Sequence, residues 1–335
     1  GSTAGAWSSE DGAVAVWGGR TENDGLVANF DYPSGYESLA VDAAGSMYFT
    51  GHFRYSVDFN ASPTGTTTMT ADNTAGCNAQ TFVMKLDLFA EPYWAGQFGN
   101  DVSNSSCGVY PRSIAVDGNG NVYTAGNFHL GPVDFAPGAG VANLVNIGYS
   151  TNVAFVSKLN SSGEVVWAYR IGSENVPGTL HDGALLGEAH ANSVAADGAG
   201  NVYVLGTFWG STSFQHAAGV TTLNSSRSEQ ARPDTFILKL NSSGEQVWLR
   251  QIEAPTGNRV MTPLSVAVDG SGNVYTAGDV GGGSTIDFDP SEGVANLTGS
   301  PAGQNAGNDV WILKLDAAGD YVWAKASECN GSSQS

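Results

Sequence analysis

A segment of 14 residues recurs four times along the chain and governs what it can fold into. SLAVDAAGSMYFTG begins at Ser38, SIAVDGNGNVYTAG at Ser113, SVAADGAGNVYVLG at Ser193 and SVAVDGSGNVYTAG at Ser265. Each copy is two short alternating apolar runs joined by a turn of Gly, Asp, Asn, Ala and Ser, the pattern of a β-hairpin. A third run follows each copy (TFVMKL, AFVSKL, TFILKL, VWILKL), then a fourth carrying Trp94, Trp167, Trp248 or Trp323. Units of one kind that cannot bury their apolar faces alone must stack on one another.

With Asp42, Asp117, Asp197 and Asp269 as markers, the periods are 75, 80 and 72 residues. Four short antiparallel strands per period is the blade of a β-propeller. The period exceeds the roughly 40 to 50 residues of common blades. The excess lies between the second and third runs, as VDFNASPTGTTTMT, VDFAPGAGVANLVN, TSFQHAAGVTTLN and IDFDPSEGVANLTG, each reading as a small extra hairpin. Forty-five glycines, 13% charged residues and no helical apolar periodicity complete an all-β reading. In a meander the second-to-third and fourth-to-first connections share one face, so that face takes the hairpins and the long segments 99–112, 172–192 and 253–264.

Residues 1–335 are read as a single β-propeller domain with four complete blades at 38–98, 113–171, 193–252 and 265–326. Residues 1–20 form a partial blade. Ala4 to Trp7, the turn Ser8 to Gly12 and Ala13 to Trp17 resemble AFVSKLNSSGEVVW, and no SxAVD hairpin precedes them. This half-unit is an appendage to a ring of four, part of a fifth blade, or a sign that the chain is a piece of a longer array.

The formal net charge is -19, from 13 Lys plus Arg against 32 Asp plus Glu. Such a surface repels nucleic-acid phosphates and anionic lipid, which excludes nucleic acid as a partner. No apolar run approaches the length of a membrane-spanning helix, so membrane insertion is not expected. The opening GSTAGAWSSEDG has neither the basic nor the apolar region of a signal peptide, as in a mature exported chain.

Residues present in every unit are first of all scaffold. The four tryptophans are expected to pack between neighbouring blades. Lys85, Lys158, Lys239 and Lys314 sit inside apolar strands, and the equally periodic Asp42, Asp117, Asp197 and Asp269 are their expected ion-pair partners. The DGxGN turns have oxygen groups at alternate positions but lack the acidic residue that closes a calcium loop, and a hairpin turn explains them. Asp287 and Asp289 with Glu292 are the better oxygen cluster and the candidate calcium ligands; no other cofactor is expected. His181, Asp182, Glu188 and His190 share one non-repeated connection, and Trp209 falls outside the repeat pattern. Trp209, His181 and His190 are therefore the candidate ligand-binding residues. Cys77 and Cys107 are placed on the elaborated face and expected to form a disulfide in an oxidising compartment, leaving Cys329 over. No GxSxG, HExxH or phosphate-binding glycine loop is present, so the chain is not read as an enzyme.

The pattern SxAVDxxGNVYxxGxF followed by F(V/I)xKLxxxGxxxW resembles the bacterial β-propeller repeat family of exported proteins, with a blade phase similar to that of NHL-type propellers. The VDFDPG-like insertion, clearest at Ile286 to Pro290, resembles repeats of secreted or surface-anchored proteins. The resemblance implies a propeller fold and an extracellular or cell-surface location; folds of this kind host many functions. The expected role is a structural or adhesive module that contacts proteins or copies of itself, self-assembling through the half-unit, with carbohydrate or calcium binding as the alternative.

Overall fold

The structure, a computed structural model, describes residues 38–327 apart from 54–55, 60–66, 71–79, 90, 100–107, 130, 139, 147–151, 173–186, 217–218, 227–231, 255–260, 282 and 300–307. The N-terminal half-unit, the three cysteines and His181 lie outside the described residues. Within them the chain forms 24 strands and no helix.

The first repeat contributes β1 (Ser38–Val41), β2 (Met47–Phe53), the hairpin β3 (Ser56–Asp58) and β4 (Thr68–Thr70), then β5 (Gln80–Leu86) and β6 (Pro92–Phe98). The second contributes β7 (Gly108–Val116), β8 (Val122–His129), the hairpin β9 (Gly131–Asp134) and β10 (Asn143–Asn146), β11 (Val153–Leu159) and β12 (Val165–Ile171). The third has β13 (Glu188–Ala196), β14 (Val202–Trp209), the hairpin β15 (Ser211–His216) and β16 (Gly219–Asn224), β17 (Asp234–Leu240) and β18 (Gln246–Ile252). The fourth has β19 (Met261–Val268), β20 (Val274–Gly281), the hairpin β21 (Thr285–Asp287) and β22 (Asn296–Thr298), β23 (Asn308–Leu315) and β24 (Tyr321–Ala326). Every repeat folds into an antiparallel meander in the order first, second, third, fourth strand. Successive sheets meet mainly along their first strands, which places these innermost and the tryptophan strands outermost.

The period-2 alternation of each strand sends one set of side chains toward the preceding sheet and the other toward the next. Three apolar layers result. Tyr48, Val83 and Phe98 of the first sheet close on Ile114, Phe128 and Phe155 of the second. Tyr123, Val156 and Ile171 close on Val194, Phe208 and Phe236. Tyr203, Ile237 and Trp248 close on Val266, Trp311 and Leu313. The core is thus a series of slabs between sheets.

Each slab is rimmed by the same polar fastening. The indole Nε1–H of Trp94 donates to Ser161 O, that of Trp167 to Ser242 O and that of Trp248 to Ala317 O, each at 3.1 Å and each in the turn of the next sheet. The ring lies on the glycine of that turn: a Cβ on Gly244, at φ +80°, would stand 2.8 Å from the Trp167 ring. At the inner edge Ser38 Oγ accepts from Ile114 N, Ser113 Oγ from Val194 N and Ser193 Oγ from Val266 N, all at 3.1 Å. The recurrent Ser and Trp of the repeat are therefore contacts between units, not within them.

The inserted hairpins cover outer edges. Those of the second and third repeats bond to the strand that ends the sheet before them: Gly99 N donates to Asp134 O and Gly172 N to Ser213 O, both at 2.9 Å. At Ile171 and Phe214 the third repeat's hairpin pairs with β12, making the second sheet six-stranded. An outer strand left bare would be a template for unwanted pairing.

One boundary differs from the sequence reading. The first strands of repeats two to four begin four or five residues before SxAV and run through a β-bulge whose extra residue is Arg112, Asn192 or Leu264. The segments ahead of each bulge, such as GVYPR and EAHAN, share no repeat signal, so their strand character is invisible to a repeat argument.

Gly244→Ala is expected to lower stability by about 2 kcal/mol or more, since it combines a left-handed backbone with a methyl driven into Trp167. Trp248→Ala is expected to lower it by about 3 to 5 kcal/mol. Urea unfolding at neutral pH checks both, and a Gly244→Ala midpoint equal to that of the parent would contradict the fastening described.

Candidate functional site

The bulges re-aim the inner strands and carry non-repeated side chains to the same end of neighbouring first strands. Ahead of its bulge β7 presents Tyr110 opposite Asn127, with Gly108 opposite His129. Ahead of its own, β13 presents His190 opposite Thr207 and Glu188 opposite Trp209. In repeat register Tyr110 corresponds to His190 and to Thr262, and His129 to Trp209. Next to these variable positions the repeat holds, with Phe128 matching Phe208 and Gly126 matching Gly206.

A chain of hydrogen bonds joins the second and third sheets here. Arg112 Nε donates to Asn127 Oδ1 at 2.9 Å, and Asn127 Nδ2 donates to Asn152 Oδ1 at 2.9 Å. Asn152 Nδ2 in turn donates to Glu188 Oε1, which also lies 3.3 Å from His190 Nε2. Beside this chain lie two groups of rings. Tyr110 packs edge-on between His52 and His129, at centroid distances of 6.2 and 5.5 Å, and His190 packs edge-on against Trp209 at 5.2 Å.

Burial pushes the Glu188 carboxyl up, but bonds from His190 and Asn152 outweigh it and hold the group below the usual range, hence ionised at neutral pH. Burial pushes the His129 imidazole down, against the opposing pull of the Glu188 charge, which favours its neutral form. The site thus carries one fixed carboxylate and one guanidinium, with aromatic faces and amides between.

Of the sequence candidates, the structure brings His190 and Trp209 together. Glu188 and His190 lie in a strand rather than in the expected loop. Arg112, Tyr110, Asn127, His129 and Asn152 escaped sequence reasoning, because only the bulge and the strand before it gather them.

The expected Lys–Asp pairs do not form. The described lysines of the repeat make no ion pair with its aspartates. Lys85, Lys158, Lys239 and Lys314 instead lie 5.1 to 5.4 Å from the ring centroids of Tyr48, Tyr123, Tyr203 and Tyr275, their cross-strand neighbours. Lys158 Nζ also donates to Ser242 O at 3.0 Å and Lys239 Nζ to Ala317 O at 3.3 Å, in the next sheet. The aspartates are already saturated. Asp117 Oδ1 accepts from the amides of Asn119 and Asn121, while Oδ2 accepts from Asn121 Nδ2 and, at 2.9 Å, from the Tyr123 hydroxyl. Asp42, Asp197 and Asp269 likewise accept from Tyr48, Tyr203 and Tyr275.

The candidate calcium cluster does not converge. Asp287 Oδ1 accepts from the amides of Asp289 and Ala295, and Asp289 Oδ1 from the amide and hydroxyl of Ser291, so both carboxylates shape the hairpin tip. Asp134 does the same for the second repeat's hairpin. Among the described residues no three His, Cys, Asp or Glu side chains are grouped to hold a metal ion.

Stacked antiparallel meanders with an invariant inter-unit fastening define an all-β repeat protein of the propeller kind. The chain carries β-propeller repeats: the family model described as the SBBP beta-propeller repeat matches residues 94–127 and 247–279. Each match runs from a tryptophan strand into the first hairpin of the next repeat, and so spans a joint between sheets. A crystal structure of a protein of unknown function from Bacteroides caccae is similar over 87% of this chain and 81% of that one, at 12% identity and a TM-score of 0.30. No curated protein matches the chain.

The saturated aspartates give the protein an acid limit. Bonds from Asn273 and the turn amides hold the Asp269 carboxyl at about 2, and Asp42, Asp117 and Asp197 are lowered as well. A carboxyl whose folded value is depressed adds stability above its unfolded value and loses it as pH falls through the folded one. The urea midpoint is therefore expected to drop between about pH 4 and pH 2. A flat midpoint across that interval would show that these turns do not contribute.

Proposed function

We propose that the protein is a non-catalytic structural or adhesive module outside the cell, which contacts proteins, including copies of itself, through the faces at the two ends of its stack. The observation that carries this reading is the uncovered side of the fourth sheet. Val310 and Ile312 are 51% and 43% exposed, whereas Ala154, Val156, Thr235 and Ile237, at the same places in β11 and β17, are all 0% exposed. The opposite end is open too: Leu39 is 55% exposed where Ile114 and Val194 are 5%. Among the described residues no extensive contact joins the fourth sheet to the first.

The kind of partner follows from the fastening. Trp323 stands where Trp94, Trp167 and Trp248 each rest on a glycine turn of the next sheet. The first sheet's own turn reads Leu88-Phe89-Ala90 where the others have Ser-Ser-Gly or Ala-Ala-Gly, and Leu88 and Phe89 are exposed. A Cβ at that glycine position meets the tryptophan ring, so this turn suits Trp323 poorly. The sequence supplies one more turn of the right kind, Ser8 to Gly12, in the N-terminal half-unit. Self-assembly through that half-unit, seated on the open fourth sheet of a neighbouring chain, accounts for both features. It is face-to-face stacking on a sheet that lacks its successor.

The full chain is expected to associate in a concentration-dependent manner by light scattering. Deletion of residues 1–20 and Ile312→Glu should each return it to a monomer. A full chain that stays monomeric at high concentration, or an assembly indifferent to both changes, would overturn the reading.

A further inference from the structure

We propose that the row formed by Tyr110, His129, Glu188, His190 and Trp209 is a binding subsite for a neutral oligosaccharide, with sugar rings lying across Tyr110 and Trp209 and sugar hydroxyls meeting the Glu188 carboxylate and its neighbouring amides. The first support is positional. Residues that build the joints recur in every repeat, whereas these occupy strand positions that change from repeat to repeat, so the scaffold does not dictate them. They sit together because two consecutive first strands extend past a bulge at the same end.

The second support is chemical. Recognition of a sugar needs a flat apolar face for its C–H surface and planar polar groups, already oriented, for its hydroxyls. Tyr110 is 38% exposed and offers such a face. Glu188 and His190 have side chains 26% and 21% exposed, so they are held in place yet reachable. The bonds from Asn152 and His190 both end on Glu188 Oε1, and the run from Arg112 through Asn127 and Asn152 orients that carboxylate from behind. Groups locked before the ligand arrives lose little freedom on binding.

The third support is the charge balance. The guanidinium of Arg112 is offset by the ionised Glu188 carboxylate at the other end of the same hydrogen-bond chain, and His129 is favoured in its neutral form, so the site has no excess of positive charge for a phosphate or sulfate; the chain's net charge of -19 argues the same way. A small organic cation would be served by aromatic faces closed around one point. Here the rings form two groups over three sheets, His52, Tyr110 and His129 in one and His190 and Trp209 in the other, with the Asn127–Asn152–Glu188 bonds joining the sheets that carry them, which suits an extended ligand.

The test uses the full chain and four neutral probes: cellohexaose, xylohexaose, mannohexaose and maltohexaose. At least one is expected to bind by calorimetry and to shift the Trp209 indole N–H signal in the NMR spectrum of the unaltered protein. Glu188→Gln and Tyr110→Ala should each weaken that binding by about tenfold. Ile312→Glu, at the end of the stack, should leave it unchanged, which separates this site from the self-association surface. Urea midpoints of the variants distinguish lost contacts from lost folding, and the Trp209 signal needs no variant. Absence of binding by all four at about 10 mM, a weak limit near 2.7 kcal/mol, would overturn the proposal. So would binding that leaves Trp209 unmoved, or a response to choline or inorganic phosphate in place of the sugars.

Discussion

Everything in this molecule depends on the joint between one sheet and the next. A four-stranded meander of short strands has two apolar faces and buries neither by itself. The joint solves this with a slab of Phe, Val, Leu and Tyr closed at its outer rim by tryptophan on a glycine turn and at its inner rim by a serine hydroxyl on a backbone amide. Both rim contacts are directional, and both run from one unit to its successor. They set the spacing and rotation of the sheets, which hydrophobic contact alone would leave free to slide.

Much of the fold is legible in the sequence because repetition multiplies weak signals. One SIAVDGNGNVYTAG is an ordinary hairpin; four copies with four matching KL strands leave little choice of architecture, and the inserted hairpins are found where the VDF segments stand. Legibility fails where repetition fails. GVYPR and EAHAN look like loops because nothing else in the chain resembles them, yet they continue inner strands past a bulge. The Lys and Asp positions fail for another reason. Shared periodicity shows that two residues belong to the same framework, and says nothing of whether they touch. The tyrosine between them takes both, its hydroxyl to the carboxylate and its ring to the ammonium.

The candidate site shows the same division. His190 and Trp209 stand out in the sequence as departures from the repeat, and the structure sets their rings against each other. Their companions Tyr110, Asn127, Asn152 and His129 are unremarkable as sequence and become a group only through strand pairing. Asp287 and Asp289 are the opposite case, where neighbouring acids serve a turn. Their Oδ1 atoms are spent on the amides of Asp289, Ala295 and Ser291, which fix the shape of the hairpin tip.

The way the third repeat's hairpin pairs with β12 has a consequence for how the chain comes to be folded. The first and second sheets do not complete their own outer edges; each waits for the hairpin of the repeat that follows. During synthesis from the N-terminus, β12 ends at Ile171, but the strands that shelter it are finished only at Asn224. Between those two points a nearly complete sheet has an exposed edge. Order of appearance thus becomes part of the architecture, and the second and third repeats each act as the chaperone of the one before.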